Sequence, residues 1–529
     1  MENKHKIIII CLVLCFILSI QSISAVKIDT SQNIENETDI ISVSEESLDM
    51  MEISDNDDKL GDIEAPGGSF TDLKNILISA SDGDTIYLTG DYTFIEGTDD
   101  DYGDYFAHNA FAKSITLDGQ GHTLDGSNKS SILILSNKDT HDKYITIKNT
   151  IFKNAYNSDG SDSFTGGALR LVGNGTVENC TFIHNVAPRA GAIYWGYAHD
   201  VTINNCKFYE NEATGAGGGA IRIRNDMMNV VVSNSLFVNN TANTYAGAVH
   251  FSSTQGSNTN SIHNCTFIDN FAKEGGGAAQ IQAPNCVVSD SRFINNTAND
   301  TDGGAIYWDG LTGEVRNSNF TNNTAKRNGG AIFVEKKGLT THIINSNFTY
   351  NAASQDGGAV YWDGSDGSIE QSNFINNKAA DEGGAIFCSG NSSTVTGSKF
   401  INNNASHGGA IRWENTIDGK ILGSNFVNNR ASVNAGAISW MNSTRGLISI
   451  AYFENNHAGD RGGAIRWSGT NGTIQWAYFV GNDAGNYGGA ISWAEVADNG
   501  QIHNVDFIAN SVKNEGGYGG AIYWDHSNN

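Results

Sequence analysis

Basic residues are scarce in this 529-residue chain: 32 Lys and Arg stand against 58 Asp and Glu, a formal net charge of −26. Nucleic-acid binding needs clustered Lys and Arg along the phosphates, so that class is excluded, and the balance suits a solvated extracellular surface. Cysteine is nearly as rare. Beyond the first 25 residues only Cys180, Cys206, Cys265, Cys286 and Cys388 remain, an odd number too thinly spread for a disulfide framework. Catalytic signatures are missing too: the chain has no His-Glu-x-x-His, Cys-x-x-Cys, phosphate loop or nucleophile elbow. Its 13 histidines show no metal-ligand spacing. No window sustains a helical period, which removes the α-solenoids.

What the chain has instead is a repeat. Fourteen phenylalanines, from Phe152, Phe182 and Phe208 to Phe479 and Phe507, recur every 26 to 30 residues. A period in that range marks a solenoid. Ile or Val stands five residues before each Phe, and Asn stands three after it in thirteen copies; the first copy carries Asn154 one place early. Gly-Gly-Ala-Ile or a close variant follows. In the strand pattern of residues 305–309, Ile306 and Trp308 share one face while Tyr307 and Asp309 share the other. The first pair of positions stays apolar across copies and reads as core; the second varies and reads as solvent-facing. Coils of this length with short strands predict a parallel β-helix with Ile/Val, Phe and Trp ladders. An Asn ladder is expected at a turn, and Gly-Gly at a positive-φ corner.

Residues 1–25 read as a secretory signal, with Lys4 and Lys6 ahead of an apolar run from Ile7 to Ile20. A retained anchor is the alternative, though the run is short for a membrane span. Residues 26–66 hold thirteen acidic residues and read as a disordered spacer. Residues 67–144 are expected to form an N-terminal cap and irregular first coils, with a short helix behind Ser69 carrying Phe70, Leu73, Ile76 and Leu77. Residues 145–529 form the repetitive helix and end mid-coil. Cys180 and Cys206 should stack in adjacent coils, as reduced thiols more readily than as a bridge. Sequons such as Asn239, Asn295, Asn322, Asn404 and Asn442 fall within the repeat and read mainly as by-products of it.

Gly303-Gly304-Ala305-Ile306 followed by Phe320-Thr321-Asn322-Asn323 resembles the repeat of polymorphic outer-membrane proteins, and of archaeal adhesin-like surface proteins that share it. Gly83-Asp84-Thr85-Ile86-Tyr87-Leu88 with Leu117-Asp118-Gly119-Gln120-Gly121 is similar to the opening of the latter group. The resemblance spans about residues 70 to 524 and implies an exported adhesin-like protein on a right-handed, pectin-lyase-like parallel β-helix. Such adhesins usually continue into an anchoring region. This sequence stops just after Trp524-Asp525, so the expectation is either a fragment of a longer protein or self-association through an open last coil.

The outward positions of the Gly-Ala-Ile strand supply the candidate site. Tyr307/Asp309, Phe333/Glu335, Tyr361/Asp363 and Arg412/Glu414 would align aromatics beside carboxylates, a stripe fit to contact a host or microbial glycan or protein. Exposed aromatics on a sheet also simply satisfy β-propensity. No catalytic or cofactor residue is assigned. Parallel β-helices also resemble polysaccharide lyases and glycoside hydrolases, and Asp309, Glu335 and Asp363 would suit Ca²⁺ or acid/base chemistry, with Arg412 the nearest basic group. The even coil lengths from 293 to 490 weigh against an enzyme. A structural envelope protein is the nearer alternative. The longest interruptions fall at 97–109, 155–165 and 251–262, where Asp99 to Asp104 form an acidic cluster.

Overall fold

Alternating inward side chains and tight corners wind the chain into a parallel β-helix. The computed structural model describes residues 61–100, 113–136, 143–158, 165–224, 229–252, 259–336, 340–494 and 498–525. The expected signal at 1–25 and most of the spacer, residues 26–60, lie outside them. Each coil contributes strands to three parallel sheets. A 32-stranded Phe sheet takes two strands per coil, a 15-stranded Trp sheet one, and a 13-stranded Ala sheet one short strand. Partners keep strict register: Ile306 pairs with Ile332, Phe320 with Phe348, and Ala325 with Ala353. Identical residues therefore stack one coil apart.

Packing follows from that register. The Phe rings form one column from Phe152 to Phe507, with centroids 4.6 to 5.1 Å apart. Every ladder Asn from Asn185 to Asn482 is fully buried. Asn323 is representative: its Nδ2 donates to Phe293 O (3.0 Å) and Asn351 Oδ1 (2.9 Å), while its Oδ1 accepts the Asn296 backbone N–H (3.0 Å). The ladder thus satisfies backbone groups that turn away from the sheet. In the first copy Ala155 occupies the ladder position and donates its N–H to Asn185 Oδ1. The residue before each ladder Asn sits at positive φ, as at Asn322 (φ 55). The sequon asparagines Asn239, Asn295 and Asn322 are these exposed corner residues, not the buried ladder.

Gly303 and its equivalents take the positive-φ corner ahead of the Trp sheet (φ 70 at Gly303). The following Gly is required by close approach: a Cβ on Gly330 would lie 2.1 Å from Gly358 O. The cysteines are free and buried. Cys180, Cys206 and Cys265 replace serines of another ladder, and Cys206 Sγ donates to Asn204 O as Ser318 Oγ does to Arg316 O.

At the N-terminal end the helix forms as expected, over Phe70–Ser79 with a Ser69/Asp72 capping box and Phe70, Leu73 and Leu77 buried. Two expectations change. Asp62–Ala65, placed in the acidic spacer, is a strand paired with Thr85–Leu88, because Ile63 and Ala65 alternate inward. Asp99, grouped with an acidic loop, is buried and accepts hydrogen bonds from the N–H groups of Phe70, Thr71 and Ile95. The helix N-terminus and the corner at Ile95 consume its charge. Residues 101–104 of that cluster lie outside the described residues.

Candidate functional site

The outer face of the Trp sheet carries the candidate stripe, and register brings its members together. Tyr307, Phe333, Tyr361, Phe387 and Arg412 occupy one column in successive coils. Asp309, Glu335, Asp363, Ser389 and Glu414 follow two residues later in each strand, on the same face. The aromatic rings stack at 4.9, 5.0 and 4.7 Å. The expectation of an open solvent face is corrected, however. Phe333 is 9% exposed, Phe387 6% and Arg412 8%. Tyr307, Tyr361 and the flanking carboxylates are partly buried.

The cover comes from ring-on-ring stacking and from a column that the sequence reading passed over. Five residues before each stripe residue, the edge of the sheet presents Asp302, Asn328, Asp356, Glu382 and His407. Side chains link these edges: Asn328 N–H donates to Asp302 Oδ1 (3.0 Å), Asp356 N–H to Asn328 Oδ1 (3.2 Å), and Glu382 N–H to Asp356 Oδ1 (3.1 Å). Arg327 pairs with Asp302. Arg412 reaches back to Glu382 Oε2 (3.2 Å), sideways to Glu414 Oε1 (3.1 Å) and forward to Ser439 Oγ (2.9 Å). Asp363 accepts from Ser389 Oγ at 2.6 Å. Asp309 accepts from Gln282 Nε2 at 3.3 Å. The stripe is therefore a pre-ordered array, with aromatics in the middle and carboxylates along both margins.

Crowding of acids on a low-dielectric face alters their titration. Burial pushes Glu382 up to about 7 despite the opposing Arg412 charge. Asp356 is pushed up to about 6, by burial and then by Asp381. Tyr361 is raised to about 12, by burial and then by Asp363. A carboxyl whose pKa is higher in the fold than in the unfolded chain binds more protons when folded, so its ionisation opposes folding. Stability of these coils should fall as pH rises from about 4.5, the ordinary Glu value, through about 7. Glu382→Gln should flatten that loss. Urea midpoints of parent and variant at about pH 5 and about pH 8 check it, and an equal pH dependence in both would refute it.

Among the described residues, no group of three His, Cys, Asp or Glu is arranged to hold a metal ion. No helix among them is long and apolar enough to cross a membrane.

A right-handed β-helix family model matches residues 63–285, and the Chlamydia polymorphic membrane protein repeat matches residues 290–307, 317–335 and 371–389. A search of curated proteins returned no match. Among solved structures, tailspike protein 3 of bacteriophage CBA120 is similar at 10% identity and a TM-score of 0.30, covering 83% of this chain and 56% of its own. The mannuronan C-5 epimerase AlgE6 A-module of Azotobacter vinelandii is similar at 12% identity and a TM-score of 0.31, covering 85% and 97%. The Streptococcus pneumoniae surface adhesin PfbA gives 11% identity and a TM-score of 0.28, covering 77% and 86%. None of these overlaps bears on activity. Register, ladders and family models agree: the chain is a right-handed parallel β-helix protein with repeats of the polymorphic-membrane-protein type.

Proposed function

We propose that this chain is an adhesin-like cell-surface protein whose β-helix presents the outer face of the Trp sheet to a glycan or protein of another surface. The stripe from Tyr307 to Glu414 carries this reading: the stacked rings present an apolar edge, and the marginal carboxylates accept from hydroxyls or amides. The polymorphic-membrane-protein repeats in the same coils support the class. The array exists before any partner arrives, so little ordering entropy opposes contact.

Binding of the labelled chain to fixed cells should be saturable. Tyr307→Ala with Tyr361→Ala should weaken it about tenfold or more, since each ring contributes both area and stacking. Unchanged binding by a double variant that keeps its circular dichroism would remove the stripe from the function.

The raised carboxyls of Asp356 and Glu382 beside Arg412 favour one rival, a polysaccharide-active enzyme using general acid/base chemistry. Incubation with a polysaccharide panel and Ca²⁺, counting new chain ends, separates the two. Ends that vanish with Glu382→Gln would make it an enzyme.

A further inference from the structure

In the coils just ahead of the stripe, the same sheet face changes character. Its central column runs Tyr194, Arg222, His250, Gln280 and then Tyr307 in consecutive coils. Arg222 lies close enough to Arg189 and Arg224 for their charges to repel it. Its Nη1 donates to Ala216 O, and among the described residues neither Arg222 nor Arg189 has an ion pair with a carboxylate. In a chain with net charge −26, the partly buried Arg222 and Arg189, near each other and without a carboxylate partner among the described residues, are costly unless an anion completes them.

The neighbouring coils add acceptors. His250 and Gln280 are 3% and 4% exposed, yet His250 Nδ1 and Gln280 Oε1 have no hydrogen-bond partner. The His250 tautomer follows from its neighbours. Gln282 Nε2 donates to Asp309 Oδ2, which turns Gln282 Oε1 towards His250 Nε2 at 3.3 Å. The Nε2 then carries the proton and Nδ1 is a bare acceptor. Burial, and then the Arg222 charge, push this imidazole down to about 3, so it stays neutral.

Gly275 packs closely against this margin. A Cβ on Gly275 would lie 3.0 Å from Gln280 Oε1 and 3.5 Å from the Tyr245 ring, and the half-exposed Tyr245 stands beside His250 with ring centroids 5.9 Å apart. Four successive coils thus set guanidiniums, two buried and unpaired acceptors and an aromatic ring along one sheet face.

We infer that Arg189, Arg222, His250 and Gln280 form a subsite for a carboxylate-bearing sugar, whose carboxylate meets the guanidiniums and whose hydroxyls donate to His250 Nδ1 and Gln280 Oε1. A bare inorganic anion supplies no equivalent of the hydroxyls, and a neutral sugar leaves the arginines uncompensated. The subsite shares the sheet face with the proposed adhesive stripe and meets it at the Gln282–Asp309 hydrogen bond, but none of its four residues belongs to the stripe, so either can fail alone.

Isothermal titration calorimetry on the full chain tests it with four probes: glucuronate, N-acetylneuraminate, glucose and inorganic phosphate. At least one sugar acid should bind, and which of them binds tells a chain uronate from a terminal sialate. Glucose and phosphate should bind at least about tenfold more weakly, the loss of one charge-assisted contact or of the hydroxyl contacts. Arg222→Gln and the edge variant Arg189→Gln should each weaken the sugar acid about tenfold or more, while Tyr361→Ala, two coils beyond Tyr307, should not. Equal binding of phosphate, equal binding of glucose, absence of sugar-acid binding, or full affinity in folded Arg189→Gln would each overturn the subsite.

Discussion

Replacing a single ladder asparagine should unfold its neighbourhood. Asn377→Leu is expected to cost about 2–6 kcal/mol, because it strands one buried N–H, at about 1–3 kcal/mol, and removes two further hydrogen bonds, at about 0.5–1.5 kcal/mol each. Asn377 Oδ1 accepts both the Asn351 backbone N–H (3.0 Å) and Asn351 Nδ2 (3.0 Å), and Asn377 Nδ2 donates to Phe348 O (2.9 Å) and Asn403 Oδ1 (3.0 Å). Leucine fits the space but strands the Asn351 N–H and takes one hydrogen bond each from the Asn351 amide, which keeps Phe320 O, and from the Phe348 carbonyl. Asn377→Asp should be at least as harmful near neutral pH, since it cannot donate and brings a charge into a site with no counterion. The residue just before it is the control. Asn376 sits at the positive-φ corner (φ 57), a conformation glycine adopts freely, so Asn376→Gly should change stability by well under 1 kcal/mol. Solenoids unfold in segments, so amide hydrogen exchange in coils 348 to 403 is the decisive readout, with urea midpoints beside it. Equal protection in Asn377→Leu and in the parent would show that the ladder contributes register and little stability.

That contrast also explains what the sequence could disclose. Ladder residues are legible because each coil repeats the same steric and hydrogen-bonding problem. Phe182 to Phe507, Asn185 to Asn510 and Ile306/Trp308 recur in phase, and period-two alternation gives their direction. The stripe column was legible for the same reason, being simply the other half of the alternation. Its burial was not. Whether Phe333 meets water depends on its stacking partners Tyr307 and Tyr361 and on the edge residues beside them. Alternation supplies a direction, not what lies above the side chain.

Asp302, Asp356 and Glu382 escaped because they precede the glycines in a segment without period-two pattern, and their identities vary from coil to coil. The equal step from each of them to its Tyr or Phe was the available signal. The Arg222–His250–Gln280 block escaped because unpaired buried atoms have no sequence signature. A strained corner is visible only in the structure as well. Ile450 (φ 55) and Trp476 (φ 53) take the left-handed position that Asn fills at Asn205 and Asn234, and both are largely exposed. A β-branched residue there is costly.

The Trp column gives the second large effect, since its rings are matched to glycines on the facing strand. Gly313, Gly367, Gly419, Gly446, Gly472 and Gly500 each lie against the ring of Trp308, Trp362, Trp413, Trp440, Trp467 or Trp493. A Cβ on Gly446 would sit 2.6 Å from the Trp440 ring and 2.9 Å from that of Trp467, and neither stacked ring has room to move. Gly446→Ala should therefore cost about 3 kcal/mol, the upper range for overpacking a rigid core. Two coils break the column, and both also lack the glycine. Val334 is followed by Thr341, and Cys388 by Ser393, which lie in register with the glycines of neighbouring coils. At Cys388 the short side chain leaves a small apolar cavity lined by Trp362, Trp413 and Ser393, and burial pushes the thiol up to about 12. Cys388→Trp alone should destabilise, because its ring would meet Ser393 where the other coils offer hydrogen. Ser393→Gly alone should enlarge the cavity and destabilise as well. Together they restore the pairing found in six other coils and continue the stack from Trp362 to Trp413. The double variant should recover at least the parent's urea midpoint, with a favourable coupling of about 2–3 kcal/mol in the cycle. Additive losses would mean that the match of ring to glycine does not determine the width of this core, and that the coils tolerate either filling by shifting their backbones.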